Sequence, residues 1–228
     1  KSSNVGSSKI ALLMQPQTLW QMFDEVGFGR PPQSGFPGEA SGRVRPYKTW
    51  KPIEQATMSY GHGISLSLMQ LARAYTIFTN DGELKPVSFM RLDQPLPGKQ
   101  VIRPDTARKM RDMLMTVTQP GGTAPRAQVL GFTVGGKTGT AHKQEGRGYA
   151  ASKYISSFVG FAPATRPRLI VAVMIDEPQG QYYGGTVAGP VFSAVMSGSL
   201  RILGVEPDAP TNNTLIPLDN LPEVREET

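Results

Sequence analysis

Residues 169–175 read LIVAVMI, apolar at every position, and no other segment restricts the fold as tightly. The run falls far short of the roughly 20 residues of a bilayer span, and its β-branched content favours a strand. A strand without polar alternation is covered on both faces, which calls for helices above and below a sheet. Thr133–Ala141 and Lys153–Phe161 read as two further strands. The link Ala162–Pro167 is short and carries two prolines, whereas a parallel crossover needs a dozen or more residues. The strands on either side of it are therefore expected to pair antiparallel.

The remaining chain reads as helices and shaped loops. Val5–Val26 is expected as two helical pieces broken near Pro16, with Thr18 as an N-cap and Gly27 as the stop. Gly29–Pro52, rich in Gly, Pro and Arg, reads as an irregular loop. From Ser67, the residues Leu68, Leu71, Ala72, Tyr75 and Phe78 recur at helical spacing until Asn80-Asp81-Gly82. Pro104 and Asp105 open another helix, with Met110, Met113, Leu114 and Val117 on one face as core filling, and Pro120-Gly121-Gly122 at its end. Pro190 is expected to open a last helix with Phe192, Val195, Met196 and Leu203 on one stripe and Gly204 at the stop. The small residues Ser197, Gly198 and Ser199 would let it approach the sheet. The fold class is mixed α/β, an antiparallel sheet sandwiched between helical layers over residues 1–205. Residues 206–228, polar and Pro-rich, read as a loosely ordered tail.

Composition narrows the function classes. The chain has no Cys, which excludes a thiol nucleophile, a disulfide framework and a zinc–thiolate site. A net charge of +6 suits nucleic acid, anionic lipid or an acidic ligand. Its Lys and Arg are scattered, with no basic run and no aromatic-interleaved strip, so nucleic acid is not expected. The chain opens abruptly within a motif, and any anchor or export signal is expected ahead of Lys1.

Two readings compete for Gly136-Lys137-Thr138-Gly139-Thr140. Gly131–Thr138 (GFTVGGKT) matches the phosphate-loop pattern G-x-x-x-x-G-K-[ST], and LIVAVMID resembles the apolar strand ending in a magnesium-binding Asp. That reading makes the chain an ATP-binding protein. A phosphate loop works because a helix starts at its Lys-Thr and aims free N–H groups at the phosphates. Here Gly139, Gly146 and Gly148 follow with no helical period, and glycine costs about 1 kcal/mol against alanine inside a helix. The alternative places Lys-Thr-Gly on a strand beside an acyl-transfer site, with Ser2-Ser3-Asn4 as an S-x-N triplet.

The residue types fit acyl transfer. Attack on an amide carbonyl requires removal of a serine proton and protonation of the leaving amine. Ser2 can relay that proton, the Lys137 ammonium favours the relay and attracts a carboxylate, and Asn4 can hold the substrate amide and the nearby base. Thr138 and Thr140 offer hydroxyls to the carboxylate, and the Thr140 N–H would face the oxyanion. Gly139, lacking a side chain, lets a peptide pair with the strand edge. Taken singly, Ser2 reads as a helix cap and Lys137 as a solvated strand residue; the combination carries the catalytic reading.

In these segments the sequence resembles the class B, FtsI-type penicillin-binding proteins, called penicillin-binding protein 3 or 2. Besides SSNVG (Ser2–Gly6) and KTGTA (Lys137–Ala141), the resemblance is carried by GFPGE (Gly35–Glu39), QATMSYGHG (Gln55–Gly63), FVGFAP (Phe158–Pro163) and YYGGTVAGPVF (Tyr182–Phe192). It implies a penicillin-binding transpeptidase fold, related to the serine β-lactamases. It also implies a D,D-transpeptidase that cross-links peptidoglycan stem peptides at the division septum and is acylated by β-lactams. The parent is expected to be a single-pass inner-membrane protein with a periplasmic catalytic domain and an FtsW-type glycosyltransferase among its divisome partners. No metal or organic cofactor is implied.

By matching position, Ser2, Asn4 and Lys137 are catalytic, and Thr138, Gly139 and Thr140 face the substrate. Tyr154 and Tyr183 would be aromatic walls, although Tyr183 reads equally as core. His62 stands where relatives often have Tyr, and His142 where they often have Lys or Arg. The family's S-x-x-K, which carries the nucleophile and its lysine base, has no counterpart here. This polypeptide is therefore expected to be the C-terminal portion of the domain, incomplete as a fold, not acylated by itself and dependent on the N-terminal remainder of the parent. A noncatalytic binding or sensor domain on the same fold remains a third reading.

Overall fold

A computed structural model describes residues 2–146 and 148–211. Helix α1 (Asn4–Leu12) starts where the Ser3 hydroxyl accepts from Gly6 N at 3.2 Å, satisfying one of the orphan amides of a helix start. Helix α2 (Pro16–Glu25) begins at Pro16, so Thr18 lies inside its first turn and not at the cap. Proline's missing N–H costs nothing there. Gly27 follows with φ +84°. Within the loop of residues 29–52 only Tyr47–Thr49 forms a single 3₁₀ turn.

Helix α3 (Pro52–Met58) has no counterpart in the sequence reading. Helix α4 (Leu68–Ala74) carries a reciprocal cap: Ser67 Oγ accepts from Gln70 N, and Gln70 Oε1 accepts from Ser67 N. The same Gln70, 2% exposed, donates through Nε2 to Arg30 O and Ser41 O at 2.8 Å each, tying the preceding loop to the helix. The short α5 (Thr76–Thr79) completes that run. A small antiparallel pair, β1 (Glu83–Leu84) with β2 (Lys99–Gln100), leads to α6 (Pro104–Met115). On α6, Leu114 is buried but Met113 is 55% exposed; Met115 packs inward instead.

The main sheet has the order β3 (Gly135–Glu145), β4 (Gly148–Ala162), β5 (Leu169–Asp176), antiparallel throughout. Lys137 pairs with Val159 and Gly139 with Ser157, and the register shifts between His142 and Gln144. β3 starts at Gly135 rather than Thr133 but runs on to Glu145, β4 extends past both expected ends, and the two form a hairpin. The antiparallel pairing of β4 and β5 follows the short link, but β5 is half-buried rather than fully covered, with Met174 54% exposed.

Helix α7 (Gly184–Ile202) lies across one face. Its buried positions Ala188, Phe192, Met196 and Leu200 join Phe158, Ala162, Ala124 and Ala127 in the largest core cluster, with Phe158 and Phe192 edge to face at 4.8 Å. The opposite face gathers Phe161, Ala164 and Leu114, against which Tyr75, Phe78 and Ile170 pack. The sheet thus sits between helical layers. Pro190 lies inside α7 rather than at its start, and Val195 and Leu203 point outward. The close approach comes from Gly184 and Gly185, not from Ser197–Ser199. A Cβ on Gly184 would stand 2.4 Å from Ser157 O, and one on Gly185 1.9 Å from Thr123 O, whereas Gly198 has nothing within 4 Å. Of residues 206–228, Asp208 accepts hydrogen bonds from Thr133 and Thr165; 212–228 lie outside the described residues.

Candidate active site

One cavity of about 630 Å³ lies between α1, the end of α3 and β3. The α1 side is fixed to α3 by polar ties: Gln55 Nε2 donates to Ala11 O and Met14 O at 2.8 Å each, and Ser7 Oγ to Ser59 O at 2.9 Å. Gln55 is itself buried, so these bonds satisfy a polar group that would otherwise be costly to desolvate. The result places Ser2, Asn4 and Ser7 along one wall and Ser59–His62 along the rim. Lys137–His142 of β3 form the facing wall.

Strand alternation divides β3. Thr138 and Thr140 turn toward α7: Thr138 Oγ1 lies 3.1 Å from Thr123 Oγ1, and Thr140 Oγ1 accepts from Gly184 N, the first amide of α7, at 3.0 Å. Lys137 and Gly139 belong to the opposite set. The Lys137 ammonium donates to Thr138 O at 2.9 Å. A Cβ on Gly139 would stand 2.5 Å from Ser157 Oγ, so the glycine lets β3 and β4 close up here.

The cavity is electrostatically one-sided. Among the described residues no Asp, Glu or Arg lines it, and Lys137 is the one permanent cation there. The chain's two histidines, His62 and His142, both line it as well. His142 Nδ1 lies 3.0 Å from Ala150 O, a pairing in which the nitrogen must donate because a carbonyl only accepts. Such a lining favours an anionic ligand.

The structure therefore brings Ser2, Asn4, Lys137, Thr138, Gly139 and Thr140 to one cavity. Tyr154 and Tyr183 stand apart from its lining. They belong to a row of rings that reaches it through His142: His142–Tyr154 at 4.5 Å, Tyr154 stacked on Tyr182 at 4.1 Å, and Tyr182–Tyr183 at 4.6 Å. Sequence reasoning missed Tyr182, the central ring of this row, as well as Thr123 and the Ser59–Gly61 rim. The YYGG and QATMSYGHG segments were the available signal for the ring and the rim.

The phosphate-loop reading fails on geometry. Lys137 and Thr138 lie within β3 and no helix begins at them. Asp176, the would-be magnesium ligand, accepts from Lys143 at 2.7 Å. Among the described residues no cluster of three or more His, Cys, Asp or Glu could hold a metal.

Comparison with known proteins agrees with the fold. Residues 1–197 match the family model described as the penicillin binding protein transpeptidase domain. The chain is 53% identical over 215 residues to the probable peptidoglycan D,D-transpeptidase PenA of Neisseria flavescens, covering 94% of this chain and 54% of the relative. It is 41% identical over 212 residues to the peptidoglycan D,D-transpeptidase FtsI of Escherichia coli K12, covering 92% and 36%. Among solved structures, the apo transpeptidase domain of Burkholderia pseudomallei penicillin-binding protein 3 superposes with a TM-score of 0.87 at 54% identity, over 92% of this chain and 64% of that one. The chain thus spans only part of each relative's length. On a match that runs from the S-x-N triplet through β3 and most of α7, the chain belongs to the penicillin-binding protein transpeptidase family, in its class B, PenA/FtsI-like branch.

Proposed function

We propose that this chain supplies one side of the active site of a peptidoglycan D,D-transpeptidase, a serine acyltransferase acting on D-Ala-D-Ala stem peptides and acylated by β-lactams. The observation that carries the reading is the meeting of Ser2 and Asn4 with Lys137–Thr140 around one cavity that, among the described residues, has a cation and no carboxylate in its lining. The nucleophilic serine and its lysine base are assigned to an S-x-x-K segment of the parent that lies outside this sequence. Residues 1–205 are then the C-terminal portion of the catalytic domain.

In the acylation step the serine oxygen attacks the carbonyl carbon of the scissile amide and its proton passes through Ser2 toward the leaving amine. Lys137 holds positive potential at the relay, where removal of substrate into a low-dielectric site strengthens it. Asn4 orients the substrate amide. The substrate lies along the outer edge of β3 as an added strand, its carboxylate near Lys137, Thr138 and Thr140, and Gly139 leaves room for its backbone. Tyr154 and Tyr183 flank its side chain through the ring row that ends at His142. The same relationship supports a periplasmic setting at the septum, an inner-membrane anchor in the parent, and an FtsW-type glycosyltransferase and other divisome proteins as partners.

The test is intact-mass analysis of this chain, alone and combined with the N-terminal part of its parent, before and after exposure to penicillin. The expected result is one added drug mass, on a serine of the companion segment, and none on this chain alone. Drug mass on this chain, or none on the combined protein, defeats the reading.

A further inference from the structure

We propose that Asp208 is a positioning residue for the Lys137 strand, a carboxylate clasp that fixes the entry of β3 and so holds Lys137 on its own side of the strand at the cavity. The inference rests on the transpeptidase reading above. Asp208 follows α7, at the far end of the chain from the S-x-N triplet. Its Oδ1 accepts from Thr133 N at 2.7 Å, and its Oδ2 accepts from the Thr133 hydroxyl and from the Thr165 hydroxyl, the latter at 2.6 Å. The Thr133 hydroxyl in turn accepts from Ala164 N at 2.8 Å, and Ala209 N donates to Gly131 O at 3.1 Å. One carboxylate thereby joins the residues leading into β3 to the turn between β4 and β5.

The need for a clasp is written into β3. Gly135, Gly136 and Gly139 surround Lys137, and a glycine-rich strand specifies its register weakly. A slip of one residue turns every side chain to the other face. Here that would turn Lys137 to the α7 side, where Thr138 and Thr140 now meet Thr123 and Gly184. The close seat of Gly135 and Gly136 against the rings of Phe161 and Phe158 admits the strand, but a glycine has no side chain with which to hold it. Bonds to an ionised carboxylate are roughly twice as strong as neutral ones, and this one remains ionised at neutral pH. Burial pushes Asp208 up, but the bonds from Thr133 and Thr165 outweigh it and hold the carboxyl below its ordinary value.

The test uses the parent protein carrying its N-terminal segment. The rate of acylation by a fluorescent penicillin at 25 °C is compared for wild type, Asp208→Asn, Asp208→Ala and Thr165→Val, alongside hydrogen exchange of the β3 and β5 amides. The expected order is wild type, then Thr165→Val within threefold, then Asp208→Asn, with Asp208→Ala at least tenfold slower, and exchange accelerated in β3 more than in β5. Asn keeps one acceptor for Thr133 N but cannot accept both hydroxyls, so it decides the matter even if the alanine variant fails to fold. Acylation within twofold of wild type in a folded Asp208→Asn or Asp208→Ala protein that merely melts lower overturns the inference, since a fastening without positioning would do only that. If wild type itself is not acylated, the transpeptidase reading is what fails. Exchange still reads the clasp in that case, and equal acceleration in β3 and β5 overturns it.

Discussion

The two outer strands of the three-stranded sheet are built for different neighbours. β3 presents Gly135, Gly136, Lys137 and Gly139, and lines the cavity with the ammonium of Lys137. β5, on the opposite side of β4, presents LIVAVMID. Its Leu169, Val171, Val173 and Ile175 turn to the α7 core, and Ile170 turns to the other face. A strand edge offers a row of unpaired backbone groups to any extended segment. On β3 the small residues and the cation make that row suited to an anionic peptide that comes and goes. On β5 the apolar side chains on both faces suit a permanent neighbour, and nothing between Leu169 and Asp176 has the lysine or proline with which native proteins blunt an open edge.

Lys137 breaks the comparison most sharply. In the parent protein, Lys137→Ala is expected to slow acylation by about 10²–10³-fold, the range for loss of one electrostatic contact made in the transition state. Lys137→Arg, which keeps the charge but not the compact ammonium, should fall between. Stopped-flow acylation by a chromogenic β-lactam reads both, and a wild-type rate in Lys137→Ala removes the β3 edge from the reaction. Next in size is the seat of α7 against β3. Gly185→Ala puts a Cβ 1.9 Å from the backbone oxygen of Thr123, the residue whose hydroxyl meets Thr138. Overpacking against backbone costs about 1–3 kcal/mol, visible as a lowered melting temperature. Gly139→Ala meets a rotatable hydroxyl, Ser157 Oγ at 2.5 Å, and should cost less. A larger loss at Gly139 than at Gly185 would contradict the packing described.

Much of this architecture was legible because its causes are local. The two-proline link between β4 and β5 forbids a crossover, and Ser67 with Gln70 marks the start of α4 by a cap that closes within one turn. The cavity residues were legible for another reason: the proposed chemistry calls for a hydroxyl, an amide and an ammonium in a set order, and Ser2, Asn4 and Lys137 match that order. What was illegible depends on distant partners. Pro190 reads as a helix start, yet α7 begins six residues earlier, because Gly184 and Gly185 fit where the sheet and Thr123 leave no room for a side chain; burial of the helix against the sheet overrides their poor propensity. Starting earlier sets the phase, so Leu200 is buried and Leu203 is not. Helix α3 was missed because its N-cap is Lys51, whose backbone N–H is satisfied by Glu54, without the Ser, Thr, Asp or Asn that marks a start. Asp208 finds Thr133 75 residues away, a pairing with no sequence signature.

The smallest effect on chemistry should come from the β5 edge, and it sharpens the comparison by separating solubility from catalysis. Met174 lies on β5 and is 54% exposed, opposite Ser157 in the β4 register. Met174→Lys places a charge on that open strand without touching the cavity lining. A lysine on an edge opposes strand-to-strand association, because a second chain pairing there would have to bury or repel it. The purified chain by itself should therefore show less concentration-dependent association in light scattering than wild type, with little change in its melting temperature. In the parent protein two outcomes carry information. If the residue stays exposed there, acylation stays within about twofold; if the β5 edge is covered by a permanent neighbour, the charge must be desolvated and the parent loses stability, since an unpaired buried ammonium is costly. Unchanged association of the isolated chain combined with slowed acylation would reverse the assignment, making β5 rather than β3 the edge that meets the ligand.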